Sequence, residues 1–413
     1  MRITPKLARD PERQRGLGSF DTISPLFPWF GQSTQASKYV SVKDAYGLAA
    51  VLACVRMKAN TVGQLPLITK EWLGRGEEDA QVAYDDPMYR LLKVRPNPEM
   101  SAITAWSYTA AHLNSWGEAF IGKTFVPGVR RPVALWPIDP DRVDVERVNG
   151  EKIFWVRDQY FRRKGPYTQA DIIHVMGFTL DGLRGASPIQ LAREAIGAGL
   201  ALDEYANRFW ANGGILSGVF STDKQLEEDV ADRLEKRLMR KYRGPRNSGR
   251  FAVLEEGLKY QAISMKMSDA QFVEQQKWSL QQAARVIGVP LSLVGADVAD
   301  SSLTYRTVEG DNLHYLMHYV NPDLVRIEQA FDADEDLFPD NRKFSEFDVR
   351  KLLRTNALEQ AKVFAIETGG RAYRHPTEIR KAQGLGPDPG PQGSLDEAPP
   401  TERPPGESPP SLR

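Results

Sequence analysis

Cysteine is nearly absent from this 413-residue chain: there is one, Cys54, inside the apolar run LAAVLACVRM. A single cysteine excludes an intrachain disulfide framework and suits a reducing compartment. Its apolar neighbours make it a small buried hydrophobe rather than a nucleophile. Histidine is also scarce, at five, which leaves few ways to pair a Ser or Cys nucleophile with a base. Net charge is missing too. Lys+Arg and Asp+Glu each number 54, so there is no global basic field of the kind that drives tight non-specific DNA binding, and any nucleic-acid contact is expected to be local or transient. No uninterrupted apolar run reaches the roughly 18 residues that suggest a membrane span. The basic start MRITPKLARDPERQRG leads into no apolar core of a secretory signal. The expectation is a soluble protein of the cytoplasm without membrane contact.

What is present is enough apolar residue, 41% of the chain, to fill real cores, and a length that fits two to four domains of about 100–200 residues. Residues 386–413, rich in Pro, Gly, Ser and charge, cannot bury enough surface to offset ordering and read as a disordered tail.

The ordered part is expected to begin near Val40. Ser41 and Asp44 have capping-box spacing ahead of Leu48, Ala49, Leu52, Val55 and Ala59, which predicts one amphipathic helix ended by Gly63 and Pro66. From Leu65 to about Val175 the runs PLITKEW, AFIGKTFV, PVALWPI, RVDVERV, KIFWVRD and DIIHVM read as strands, with VNGE as a hairpin turn. Ser187-Pro188 opens a helix that runs to Gly213-Gly214. The stretch QLEEDVADRLEKRLMRKY is a helix with one apolar stripe, acids first and bases last, in which Asp229/Arg233 and Asp232/Lys236 can pair. Two strands follow, RFAVLEE and LKYQAISM, then a helix from Ser268 to Gly288. After a small, polar segment, Leu313, Met317, Val320, Leu324, Ile327 and Phe331 form the seam of a long helix, kinked where Pro322 interrupts it. Two shorter helical patterns end the ordered chain.

Candidate catalytic groups do not assemble. His314 and His318 are four apart, but HYLMH lacks the Glu of a hydrolytic zinc motif. GLGSF has no strand before it and no GxxxxGK[ST] occurs, so no nucleotide loop is expected. Asp297 and Asp300, beside Ser301 and Ser302, hint at metal-assisted phosphoryl chemistry but lack further convergent carboxylates. His174, on a strand, reads as a hydrogen-bonded structural histidine. No catalytic residue, metal or cofactor is expected; a metal-dependent DNA-processing enzyme is the alternative reading.

A series of segments does assemble, in order: LACVRMKANTVGQLPL, RPNPEMSAITAW, GEAF, LWPIDPDRV, DIIHV, GASPI, NGGILSGV, VLEEGLKYQAISM, GVPLSLVG, FSEFD and TEIRKAQGL. Together, over about residues 40–390, they resemble the portal proteins of tailed bacteriophages, of the HK97-type family, whether encoded by a phage, a prophage or a gene-transfer agent. Where the family commonly has Gly-Asn before an aromatic, this chain has Gly117-Glu118-Ala119-Phe120, and Thr377 stands for a usual Asn.

The resemblance implies an α+β portal fold that forms a ring of about twelve subunits at one capsid vertex. A flexible arm (1–39) would precede a mixed α/β wing (40–224). Two stem helices (225–243 and 268–288) would flank a small α/β clip (244–267). A tunnel loop (289–306), a long kinked helix returning to the wing (307–344), a helical crown (345–385) and the tail (386–413) would follow. Double-stranded DNA would pass through the channel along Ala296, Asp297, Val298, Ala299, Asp300, Ser301, Ser302 and Leu303. Arg246, Asn247 and Arg250 of the clip would meet the terminase large subunit during packaging. The implied partners are further copies of the chain, the major capsid protein and a head–tail adaptor, in a virion assembled in the host cytoplasm.

Overall fold

The computed structural model describes residue 34 and residues 40–74, 80–157, 165–211, 218–221, 232–233, 236, 259–262, 269–294, 305–340 and 342–349. Contacts divide the chain into two units, Met1–Asp348 and Val349–Arg413.

The Ser41/Asp44 capping box forms, with Asp44 N donating to Ser41 Oγ at 3.0 Å and Ser41 N to Asp44 Oδ2 at 3.1 Å. It opens only a single turn, α1 (Val42–Ala45). The expected continuous helix is broken at Tyr46–Leu48, where glycine makes helix costly, and α2 (Ala49–Gly63) starts afresh. Leu52, expected in the core, faces solvent; Val51, Cys54, Val55, Lys58 and Val62 form the buried stripe.

β1 (Leu67–Trp72) and β2 (Ala80–Val82) follow. Two helices then interrupt what read as unbroken strands. α3 (Pro87–Lys93) is capped by Asp86, which accepts from Met88 N at 2.8 Å, with proline in its first turn. α4 (Ala102–Trp116) is capped by Ser101 and ends on Gly117 at φ +80°. Its Ala105, Trp106, Ala110 and Leu113 are buried, and it packs along α2.

The next strands are β3 (Glu118–Thr124), β4 (Ala134–Ile138), β5 (Val143–Val148), β6 (Glu151–Val156), β7 (Gly165–Tyr167) and β8 (Ile172–Met176). They make two antiparallel sheets, ordered β4-β3-β8 and β5-β6-β7. Phe120, Ile138, Val145, Phe154, Tyr167 and Ile172 share one core between them. The VNGE turn joins β5 to β6, with Asn149 at φ +53° and Gly150 at φ +87°, the signs a type I′ hairpin demands.

Ser187 caps α5 (Pro188–Leu191), accepting from Gln190 N at 3.2 Å, and α6 (Arg193–Ala211) continues after a break at Ala192. β9 (Gly218–Ser221) pairs with β10 (Lys259–Ala262). Asp232 and Lys236 are helical, and their charged groups sit 3.8 Å apart. α7 (Asp269–Ile287), α8 (Tyr305–Tyr315), a π-helical turn (Leu316–Val320) and α9 (Asn321–Asp332) lead to β11 (Lys343–Phe347). β11 returns to pair with β1, Phe347 opposite Leu67. Residues 345–347, assigned by sequence to the start of the crown, therefore belong to the β11-β1-β2 sheet.

One buried charge cluster locks the β3-β8 end of its sheet. Glu118 lies in the core, where it takes Arg184 Nε at 2.8 Å on Oε1, and Gly185 N and His174 Nε2 at 3.0 Å each on Oε2. Burial alone would raise this carboxyl, but Arg184 and His174 outweigh it and hold Glu118 down at about 2. His174 stacks on Phe120 with centroids 4.5 Å apart, and Lys152 Nζ lies 3.2 Å from its Nδ1. With a carboxylate at Nε2 and an ammonium at Nδ1, the ring is the neutral Nε2–H tautomer. Replacing Arg184 by Met strands this carboxylate. The expected loss is about 3–5 kcal/mol of stability in chemical denaturation, and adding Glu118→Gln to the same chain should recover most of it.

Candidate functional site: the helices bordering residues 295–304

Of the residues singled out by sequence, 296–303 and Arg246, Asn247 and Arg250 lie outside the described residues. The helices on either side of 295–304 are described, and their geometry defines the site.

On the near side, α7 buries Ala283, Ala284 and Ile287 and stops at Gly288. Gly288 N and Val289 N both donate to Ala284 O, at 2.8 and 3.0 Å, and Gly288 has φ +76°, a helix end that strongly favours glycine. A Cβ here would stand 2.6 Å from Tyr319 Cδ1. The tip of α7 is thus fitted directly against the π turn that follows α8. A 3-10 turn, Leu291–Val294, comes next, and Ser292 Oγ reaches Asp311 Oδ2 of α8 at 3.4 Å.

On the far side, α8, the π turn and α9 form one helical run with two unlike halves. The expected seam is buried only from Val320 onward, through Leu324, Ile327 and Phe331; Leu313 and Met317 are 47% and 57% exposed. His314 and His318 lie on the same exposed stretch with centroids 4.6 Å apart. Pro322 sits in the first turn of α9, immediately after the π turn. Asn321 N donates to Leu316 O, five residues back. The widened turn thus precedes the residue that has no N–H to give.

Four carboxylates fix the α9 end, and none was singled out by sequence. Asp323, buried, accepts from Asn114 Nδ2 at 3.0 Å and Arg326 at 3.1 Å and pairs with buried Lys58 at 2.9 Å. Lys58 also donates to Asn114 Oδ1 at 2.6 Å, so α2, α4 and α9 meet at one polar knot. Glu328 accepts from Phe347 N at 2.7 Å, and Asp332 from Ser345 N at 2.7 Å and Ser345 Oγ at 2.8 Å. Just beyond α9, Asp334 takes the buried Lys123 Nζ of β3 at 2.6 Å. The signal in the sequence was a lysine inside an apolar stripe, Lys58 between Val55 and Val62, and an aspartate beside a seam leucine.

Among the described residues no group of three or more His, Cys, Asp or Glu is placed to hold a metal, and no helix is long and apolar enough to cross a membrane. Burial pushes the Cys54 thiol up to about 11, far from a reactive thiolate. The arrangement supports mechanics: a helical run held by buried carboxylates at its α9 end and fitted against the tip of α7 at the other.

Residues 49–384 match the family model for phage portal protein. The chain belongs to the phage portal protein family. The probable portal protein of Streptomyces phage phiC31 is 27% identical over 387 residues, 90% of this chain and 82% of that one. The portal protein of Enterobacteria phage HK97 is 28% identical over 349 residues, 83% of this portal chain and 80% of its own. A chain in the neck of a native gene transfer agent particle, computed with C12 symmetry, is similar in fold, with a TM-score of 0.54 at 20% identity over 89% of this chain and 100% of that one. The portal fold here is a mixed α/β one.

Burial pushes the Glu328 carboxyl up to about 7, and Glu346 and Asp332 add to the rise. A carboxyl raised on folding costs stability as pH climbs from its unfolded value near 4.5 to about 7 and keeps that cost above it. Glu328→Gln, which still accepts from Phe347 N, should therefore stabilise the chain by about 1–2 kcal/mol at pH 8 and by almost nothing at pH 4. Thermal melts across that range check both the size and the sign.

Proposed function

We propose that this chain is one subunit of a closed ring of about twelve that sits at a unique capsid vertex, conducts double-stranded DNA during packaging and ejection, and docks the packaging motor and then a head–tail adaptor. Family membership supports it, as does the C12 symmetry used for the neck of the gene transfer agent particle. The observation that carries the DNA-facing assignment is the position of residues 295–304 between Gly288, wedged on Tyr319, and a helical run whose α9 end is held by buried carboxylates. On this reading 40–224 is the wing, 225–243 and 268–288 the stem, 244–267 the clip, 289–306 the tunnel loop, and the segment beyond 348 the crown and tail.

The protein does no covalent chemistry on this reading; the terminase motor supplies the work. A channel wall dense in Lys and Arg would neutralise phosphates, release counterions and hold the DNA that it must let slide. Ala296 to Leu303 carries Asp297 and Asp300 and no base, with Arg306 just beyond, which suits a surface that contacts by shape without adhering.

Electron microscopy of the purified chain should show annular particles with a central hole; compact monomers would overturn the ring. Deleting residues 296–303 should leave rings intact yet lower packaging or DNA retention, and normal phage yield would defeat the loop assignment. Charge reversal at Arg246 and Arg250 should weaken terminase binding to the ring, and unchanged binding would remove the clip residues from that role.

A further inference from the structure

The β4-β3-β8 sheet carries two unlike surface features at its opposite ends. β3 is seven residues long, so its ends are about 20 Å apart. At the Thr124 end, the β3-β4 connection and α3 border a cleft of about 480 Å³. Leu91, Val129 and Val133 line it, exposed Arg90, Arg95 and Arg130 edge it, and a fourth arginine there, Arg131, is already paired with Asp86. A second cleft shares Val129, Arg130 and Arg131 with the first and is bordered on its other side by Glu335 and Asp336.

At the Glu118 end, the chain leaving β8 projects Phe178 and Leu180, 61% and 43% exposed, with the exposed Asp181 beside them. This projection is stiff. Asp181 Oδ1 accepts from Leu183 N at 2.8 Å and Arg184 N at 2.9 Å; Thr179 Oγ1 donates to Arg184 O at 2.6 Å and accepts from Gly182 N at 3.0 Å. Arg184 is itself clamped to buried Glu118. A rigid apolar knob in water has already lost the conformational freedom that binding would otherwise cost.

We propose that the knob Phe178-Leu180-Asp181 of one subunit seats in the Val129/Val133 cleft of the next copy of this chain, apolar on apolar, with the Asp181 carboxylate among Arg90, Arg95 and Arg130. The inference rests on the ring reading and names its contact. Knob and cleft are different surfaces at opposite ends of one sheet, which is the requirement of a head-to-tail interface; a two-fold dimer would instead pair a patch with itself. The charges are opposite in sign, and Phe178, Leu180, Val129 and Val133 are all exposed in the single chain.

The test places Leu180→Cys and Val129→Cys in one full-length chain; native Cys54 is buried and stays. After mild oxidation a non-reducing gel should show a ladder rising well past dimer, absent from either single variant. Leu180→Asp should abolish rings in electron micrographs while leaving the melting temperature within a degree or so. Rings from the double-cysteine chain without a ladder, or intact rings from Leu180→Asp, would overturn this contact and leave the ring standing. Failure of the unaltered chain to form rings would overturn the ring reading, and this contact with it.

Discussion

A charge buried in a protein fixes the position of whatever carries it, because leaving it unpaired costs several kcal/mol. In this fold that constraint falls on one helix. Asp323 is in the first turn of α9 and is out of water; its partners Lys58 and Asn114 come from two helices more than 200 residues earlier in the chain. Lys58 and Asp323 neutralise each other's buried charge, and Asn114 bonds both, so α9 docks on the α2/α4 pair at one register. A slip by one turn would carry Asp323 about 5.4 Å along the axis, beyond hydrogen-bond reach. Apolar packing of Val320, Leu324, Ile327 and Phe331 supplies the stabilisation, and the polar knot supplies the register.

The same helix finishes the sheet. β11 uses one edge to pair with β1 and turns Ser345 N and Phe347 N the other way. An open edge of this kind is a template for unwanted pairing. Asp332 and Glu328 close it with carboxylates in place of a strand. The match is geometric: four residues on a helix rise about 6 Å and two residues on a strand about 6.8 Å, so side chains four apart on α9 meet N–H groups two apart on β11. Burial raises both carboxyls, and that cost is the counterpart of an edge held by side chains.

Much of this was legible in the residues. Strand alternation, the Asn149-Gly150 hairpin, the Gly288 helix stop and the Ser187-Pro188 start are local chemistry, and the chain obeys them because nothing opposes it. The reading failed where local rules tie. α3 and α4 carry the apolar spacing of helices, with Asp86-Pro87 and Ser101 as starts, but they sit among strand-like runs that set the expectation for the whole region. Leu52, Leu313 and Met317 fit helical seams and yet face solvent, since periodicity marks a face without saying how far along the helix its partner extends. The carboxylate anchors of α9 left only a faint trace, Lys58 in an apolar stripe and Asp323 beside a seam leucine, because each is paired with a residue that only the tertiary fold brings near.

The π turn shows how these constraints divide the labour within one helical run. From Asp323 to Asp334 every turn carries a group bound to another element, so that part moves only with α2, α4, β3 and β11. From Tyr305 to Tyr319 the described restraints are lighter: Tyr315 is buried beside α2, the Tyr319 ring lies on Gly288, and Ser292 reaches Asp311. The last two lead back to the end of α7 and its following turn. The widened turn and Pro322 stand at the boundary between the two regimes, where one hydrogen bond is missing by chemistry and another spans five residues. A bend concentrated there costs less than one placed in either regular helix, because the ladder it would disturb is already irregular. A change in the angle between α8 and α9 would therefore fall at the π turn, and α9 would keep its register on the α2/α4 pair and on β11.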